Sequence, residues 1–320
     1  MKKTSILLAL WAVVVFVGVW KIMDLRMERK LSDPLPTETP ITATQTPAPT
    51  VPISDDPNVE IEQALAGGDS STQPQNPSEG VPSSASTSGK DYKSIFTSGI
   101  GSASGNVQWG FKDYNTGQSH ISSSSSVPSA SVIKVFIMEY IYANGLNLNE
   151  SVGGKTISSL IEAMITYSDN TSTNTLIDHI GMNTLNSYFQ SQGYNGTRLE
   201  RKMLDTAAQA AGKENYTSIN DVMAFLDKVY QNKNASPYSQ MLSTLKKQQV
   251  KTKIPRNLPS GVVTANKTGE LSNVENDIGF VFTDKGDFAI AFLCTSVSAP
   301  GNARDYISNT TLSVYNEFIK

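Results

Sequence analysis

The chain has 320 residues, a net charge of −3 and 38% hydrophobic residues, an ordinary balance for a globular domain. It carries no basic excess of the kind that nucleic-acid binding requires. A single cysteine, Cys294, excludes an intrachain disulfide, and only two histidines, His120 and His179, leave no multi-histidine zinc site, so neither metal nor cofactor is expected.

Residues 1–30 read as an N-terminal signal anchor. Lys2 and Lys3 precede an uncharged stretch from Thr4 to Trp20, which Ile22 and Met23 extend beyond Lys21. That approaches the ~20 residues a spanning helix needs, and Lys21 can snorkel. A cleaved signal peptide is the rival reading, but Phe16 to Trp20 offers no convincing small-x-small cleavage site. Residues 31–90 read as a disordered linker. Ten of the fifteen prolines fall there, among Thr, Ser, Gln and Gly. Such a composition buries too little apolar surface to order itself.

Residues 91–320 have the size of one domain. Tyr92 to Ser98 is a predicted helix. Val107 to Lys112 alternates like a strand, Asn115-Thr116-Gly117 reads as a turn, and Gln118 to Ser122 as a second strand. A central helix is expected from Ser131 to about Ala143, stopped by Asn144-Gly145. Further helices are expected over Ile157 to Tyr167, Ser172 to His179, Asn183 to Gln192 with Asn183 as cap, and Ser218 to Gln231. Strands return at Val262 to Lys267, Asn276 to Phe282 and Phe288 to Thr295, the last two flanking the turn Thr283 to Asp287. Ala303 to Ile319 closes as a helix. Strands from both chain ends with helices between them imply an α/β fold: a mixed, mainly antiparallel sheet packed with helices, plus an all-helical lobe.

The chemistry concentrates at Ser131-Val132-Ile133-Lys134. Residues i and i+3 of a helix share one face, so the amine would lie beneath the hydroxyl. A desolvated, neutral amine can take the serine proton, and free N–H groups of a first helical turn can stabilise an oxyanion. Alone, Ser-x-x-Lys is a weak signal, more often a capping serine with a solvated lysine than a catalytic pair. Lys134, however, sits inside an apolar run, Val132 to Met138, where a lysine is either buried or partnered. Two more tripeptides follow in order, Ser168-Asp169-Asn170 after a helix and Lys267-Thr268-Gly269 at the end of a strand. Together the three are a specific joint signal.

On these residues the chain resembles the class A β-lactamase and penicillin-binding-protein superfamily. The matching stretches are Pro128 to Lys134, Ser168 to Leu176 and Lys267 to Leu271, and the resemblance covers residues 91–320. It implies a cleft between a sheet and a helical lobe, a location outside the cytoplasm with the N-terminal helix in the membrane, and β-lactam or peptidoglycan stem-peptide substrates. It further implies a role for each matched residue. Ser131 attacks an amide carbonyl, Lys134 takes the proton, and Ser168 passes a proton to the leaving nitrogen. Asn170 holds a substrate amide, Lys267 polarises Ser168 and attracts a carboxylate, and Thr268 hydrogen-bonds that carboxylate. Backbone N–H groups of Ser131 and Glu270, beside Gly269, form the oxyanion hole.

One position departs from the pattern. The loop that carries the deacylating glutamate in class A enzymes reads Arg198-Leu199-Glu200-Arg201-Lys202-Met203-Leu204-Asp205 here, and the glutamate position falls on Met203. Glu200 matches a structural acid pairing with Arg198, and Asp205 and Glu214 are candidate substitutes. The expectation is a serine hydrolase acylated by β-lactams and slow to deacylate. A D-alanyl-D-alanine peptidase or peptidoglycan amidase is one alternative, and a non-turnover wall- or β-lactam-sensing ectodomain is another.

Overall fold

The structure, a computed structural model, describes residues 90–320. The expected anchor over 1–30 and the linker over 31–89 lie outside the described residues. Among the described residues no helix is long and apolar enough to cross a membrane.

Five strands form one sheet: β1 (Asn106–Asp113), β2 (Ser119–Ile121), β7 (Val263–Leu271), β8 (Val274–Thr283) and β9 (Gly286–Thr295). Their order is β2-β1-β9-β8-β7, and every pairing in it is antiparallel. The β8–β9 hairpin closes over Asp284-Lys285, with Thr283 opposite Gly286. Gly286 takes φ 123°, a backbone region that residues with a Cβ rarely adopt.

The uninterrupted apolar run of β9 follows from burial on both sides. Successive strand side chains point to opposite faces. Phe288, Ile290 and Phe292 join Phe96, Trp109, Phe111 and Tyr306 on one face, under α1 (Tyr92–Thr97) and the C-terminal α9 (Pro300–Phe318). Ala289, Ala291 and Leu293 join the helical lobe on the other. Small residues on that second face let α7 (Ile219–Gln231) come close: a Cβ on Gly110 would lie 2.6 Å from Met223.

The helical lobe contains α2 (Lys134–Ala143), α3 (Ile157–Thr166), α4 (Asn170–Ile180), α5 (Met182–Ser191), a short α6 (Thr206–Ala210), α7 and α8 (Tyr238–Lys246). Two-residue pairings, β3 (Val127–Pro128) with β6 (Tyr216–Thr217) and β4 (Ser151–Val152) with β5 (Lys155–Thr156), pin its loops. Helix α2 is its axis, buried from Lys134 through Glu139. A helix that is apolar nearly all round belongs in the interior, and Phe136 there packs edge-on against Tyr194 with centroids 4.9 Å apart.

Several boundaries differ from expectation. Helix α2 begins at Lys134, because Ala130–Ile133 forms a 3₁₀ turn. Helix α4 begins at Asn170, since Asp169 caps it through Ser172 N at 2.6 Å. Asn183 lies inside α5, which starts after Gly181 without a side-chain cap. Strand β7 runs on to Leu271, so Lys267-Thr268-Gly269 is internal to it. Helices α6 and α8 were not anticipated, because each is short and only α8 buries apolar side chains.

Candidate active site

Ser131 sits in the 3₁₀ turn between β3 and α2, half-exposed, behind Ala130 at φ 46°. Left-handed backbone at a residue with a Cβ persists only where its surroundings impose it. Here Ser129 N donates to Asn215 O (2.8 Å), and Asn276 Nδ2 donates to Pro128 O (3.0 Å) and Ser129 O (3.1 Å). Strand β7 passes directly behind. A Cβ on Gly269 would lie 2.8 Å from Ser129 O and 3.1 Å from Ser131 N, so only glycine lets the strand run that close.

Lys134 and Lys267 are both fully buried, and both reach Ser168. Lys134 Nζ donates to Ser168 O (2.7 Å), Asn170 Oδ1 (2.9 Å) and Ser168 Oγ (3.2 Å). Lys267 Nζ donates to Ser168 Oγ (3.0 Å) and Thr268 O (2.8 Å). The Ser168 hydroxyl therefore lies between two amines from segments far apart in the chain. Ser168 itself takes φ 59°, which turns the chain from α3 into α4. Burial brings Lys134 down to about 7, against a pull upward from Asp169. Burial also pushes Lys267 well below the usual lysine range, with the neighbouring Lys134 charge adding to it.

One expected contact is not made. Among the described residues no hydrogen bond reaches Ser131 Oγ, and the Lys134 amine is turned to Ser168 and Asn170 instead. Such contacts commonly tighten only when substrate is bound.

Ser131, Asn170, Met203, Leu204, Glu214 and Glu270 line one cleft of about 130 Å³. Its loop wall is held firmly. Arg201, 7% exposed, grips Glu214 through two hydrogen bonds of 3.0 and 2.9 Å. Asn174 clamps the Met203 backbone from both sides, accepting from its N at 2.8 Å and donating to its O at 3.0 Å. Arg198 Nε donates to Glu200 at 2.6 Å, the structural pairing anticipated. Asp205 caps α6 through Ala208 N, and Glu214 is occupied by Arg201, so each candidate substitute acid already has a structural task.

The model of the β-lactamase enzyme family matches residues 91–318. The chain belongs to that family. As a member it is a serine hydrolase acting on cyclic amides. The fold agrees with solved structures. A β-lactamase from Sphaerobacter thermophilus superposes with a TM-score of 0.62 at 23% identity, covering 72% of this chain and 97% of that one. The protein PBP-A superposes with a TM-score of 0.62 at 24% identity, covering 71% and 95%. An ancestral class A β-lactamase reaches 0.61 at 20% identity, covering 70% and 97%. No curated protein matches the chain.

Family membership gave no notice of the charges behind the cleft. Asp277, fully buried opposite Thr268 in the β7–β8 register, accepts from Asn266 Nδ2 (2.9 Å) and Ile254 N (3.0 Å). Burial raises its carboxyl to about 6, with Lys253 pulling it down. Lys253, also fully buried, pairs with Glu270 and Glu275. Its surrounding segment, Gln248 to Arg256, is mostly polar and has no apolar periodicity, so nothing in the sequence marks this lysine as interior. Arg304 pairs with the same two glutamates, Cys294 is a buried thiol, and exposed His179 faces Glu150 at 3.6 Å.

Proposed function

We propose that this serine hydrolase forms an acyl-enzyme at Ser131 with β-lactams and releases it slowly. Ser131 Oγ attacks the lactam carbonyl carbon while neutral Lys134 takes its proton. The backbone N–H groups of Ser131 and Glu270 hold the oxyanion. The carbon–nitrogen bond then breaks, Ser168 hands its proton to the leaving nitrogen, and the Ser168 oxygen regains one from the adjacent ammonium. Asn170 receives the substrate's amide side chain, and Lys267 with Thr268 its carboxylate. The observation that carries this reading is the Ser168 hydroxyl held at 3.2 and 3.0 Å by two buried amines of lowered basicity.

Slow release follows from Met203, whose thioether cannot accept a proton from water. Among the similar structures is an acyl-enzyme complex of a PBP-A variant with penicillin G, at 24% identity. On this reading the domain works outside the cell, tethered to the membrane by residues 1–30 through the linker 31–90. Such a tether favours a second substrate, peptidoglycan stem peptides ending in D-alanyl-D-alanine.

The test is intact mass. Incubation of the soluble domain with a penicillin is expected to add one drug mass, retained for many minutes and absent in Ser131→Ala. Rapid return to the free mass with continuing hydrolysis refutes slow release, and D-alanine release from a pentapeptide identifies the second substrate.

A further inference from the structure

Glu270 and Glu275 stand directly opposite one another across β7 and β8. Like charges in that relation repel. Two cations bridge them. Lys253 Nζ donates to Glu270 Oε1 at 2.5 Å and lies 3.0 Å from Glu275 Oε2. Arg304 donates to Glu275 Oε1 at 3.0 and 2.6 Å and lies 3.7 Å from Glu270 Oε2. The four side chains form a ring of alternating charge with no net charge.

The members differ in freedom. The Lys253 and Glu275 side chains are 0% and 1% exposed, whereas those of Glu270 and Arg304 are 41% and 35% exposed. Glu270 lines the same cleft as Ser131 and follows immediately on Lys267-Thr268-Gly269 in the strand. It is thus the carboxylate of the ring that can leave.

A penicillin carries a carboxylate on the carbon beside its lactam nitrogen, and a peptide with a free C-terminus carries one beside its last amide nitrogen. An anionic group there gains from an unbalanced cation nearby. We infer that Glu270 is a specificity-determining residue: from the cleft wall its carboxylate neutralises the Lys253–Arg304 cation pair behind it and so holds down the preference for acyl donors bearing a carboxylate next to the scissile nitrogen. This rests on the acylation of Ser131 proposed above.

The experiment measures acylation rates by intact mass for a penicillin and for its neutral methyl ester, in the wild type, Glu270→Gln and Arg304→Gln. Glutamine keeps an acceptor for Lys253 and removes only the charge. The rate ratio, acid over ester, is expected to rise about tenfold in Glu270→Gln and to fall in Arg304→Gln. A purely structural role moves both substrates together and leaves the ratio unchanged. A ratio within twofold of wild type in Glu270→Gln, with adducts still forming, overturns the inference and leaves the acylation reading standing. Should Arg304→Gln fail to fold, Glu270→Gln decides alone. No adduct from either compound in the wild type overturns the acylation reading and this inference with it.

Discussion

Replacing Met203 with glutamate is expected to convert a slowly deacylating enzyme into a turning-over one. Met203 is 8% exposed and shares the cleft with Ser131 and Asn170. Its backbone is fixed at both N and O by Asn174, so the substituted side chain starts from a defined position. The guanidinium that lines the same cleft, Arg201, is already gripped by Glu214 and is not free to capture a new carboxylate. A positioned general base contributes ~10²–10⁴ in rate; without an optimised water site the lower end, about 100-fold faster deacylation, is the expected gain. An ionised carboxyl buried there without a cation costs more than the ~1–3 kcal/mol of a neutral polar group, so at about 2–4 °C per kcal/mol for a domain of this size the melting temperature falls by several degrees or more. The assay acylates both proteins with one penicillin, removes excess drug and follows the return to free mass. A folded Met203→Glu protein whose release rate stays within about threefold of wild type refutes the reasoning.

Further outcomes follow from the same geometry. An amine acts as a base only when neutral, so a Lys134 brought down to about 7 makes acylation rise with pH through about 7 and level above it. An amine at the ordinary value of 10.5 would make the rate climb on past pH 9; acylation rates between pH 5 and 9 separate the two. Gly269→Ala places a methyl 2.8 Å from Ser129 O, so strand or bend has to shift. A loss of about 1–3 kcal/mol in denaturant unfolding, with acylation strongly reduced, is expected. Asn174→Ala removes both bonds to Met203 and leaves the loop wall unanchored. About 1–3 kcal/mol of stability should go with them, and limited proteolysis should cut first between Arg201 and Glu214.

Local signals were legible where one segment decides its own structure. The 3.6-residue spacing of Ile157, Leu160, Ile161 and Met164 marks α3, and the β8–β9 hairpin follows from its turn residues. They failed where a partner decides. Ser131 was expected at an α-helix N-terminus, but anchoring by Asn215, Asn276 and the backbone of β7 bends that segment into a 3₁₀ turn. Strand β7 outlasts its apolar residues because β8 pairs with it as far as Leu271.

Residue types and their order were enough to name the family and the groups able to do its chemistry, since a hydroxyl, an amine and a thioether carry their reactivity with them. Basicity and placement came from the folded chain alone. Lys134 loses its ordinary affinity for a proton because the lobe around α2 excludes water from it. Ser168 meets two amines because the strand carrying Lys267 is brought against the turn after α3. The ring of Lys253, Glu270, Glu275 and Arg304 exists because the β7–β8 register sets two glutamates face to face, a long-range pairing that no local pattern encodes.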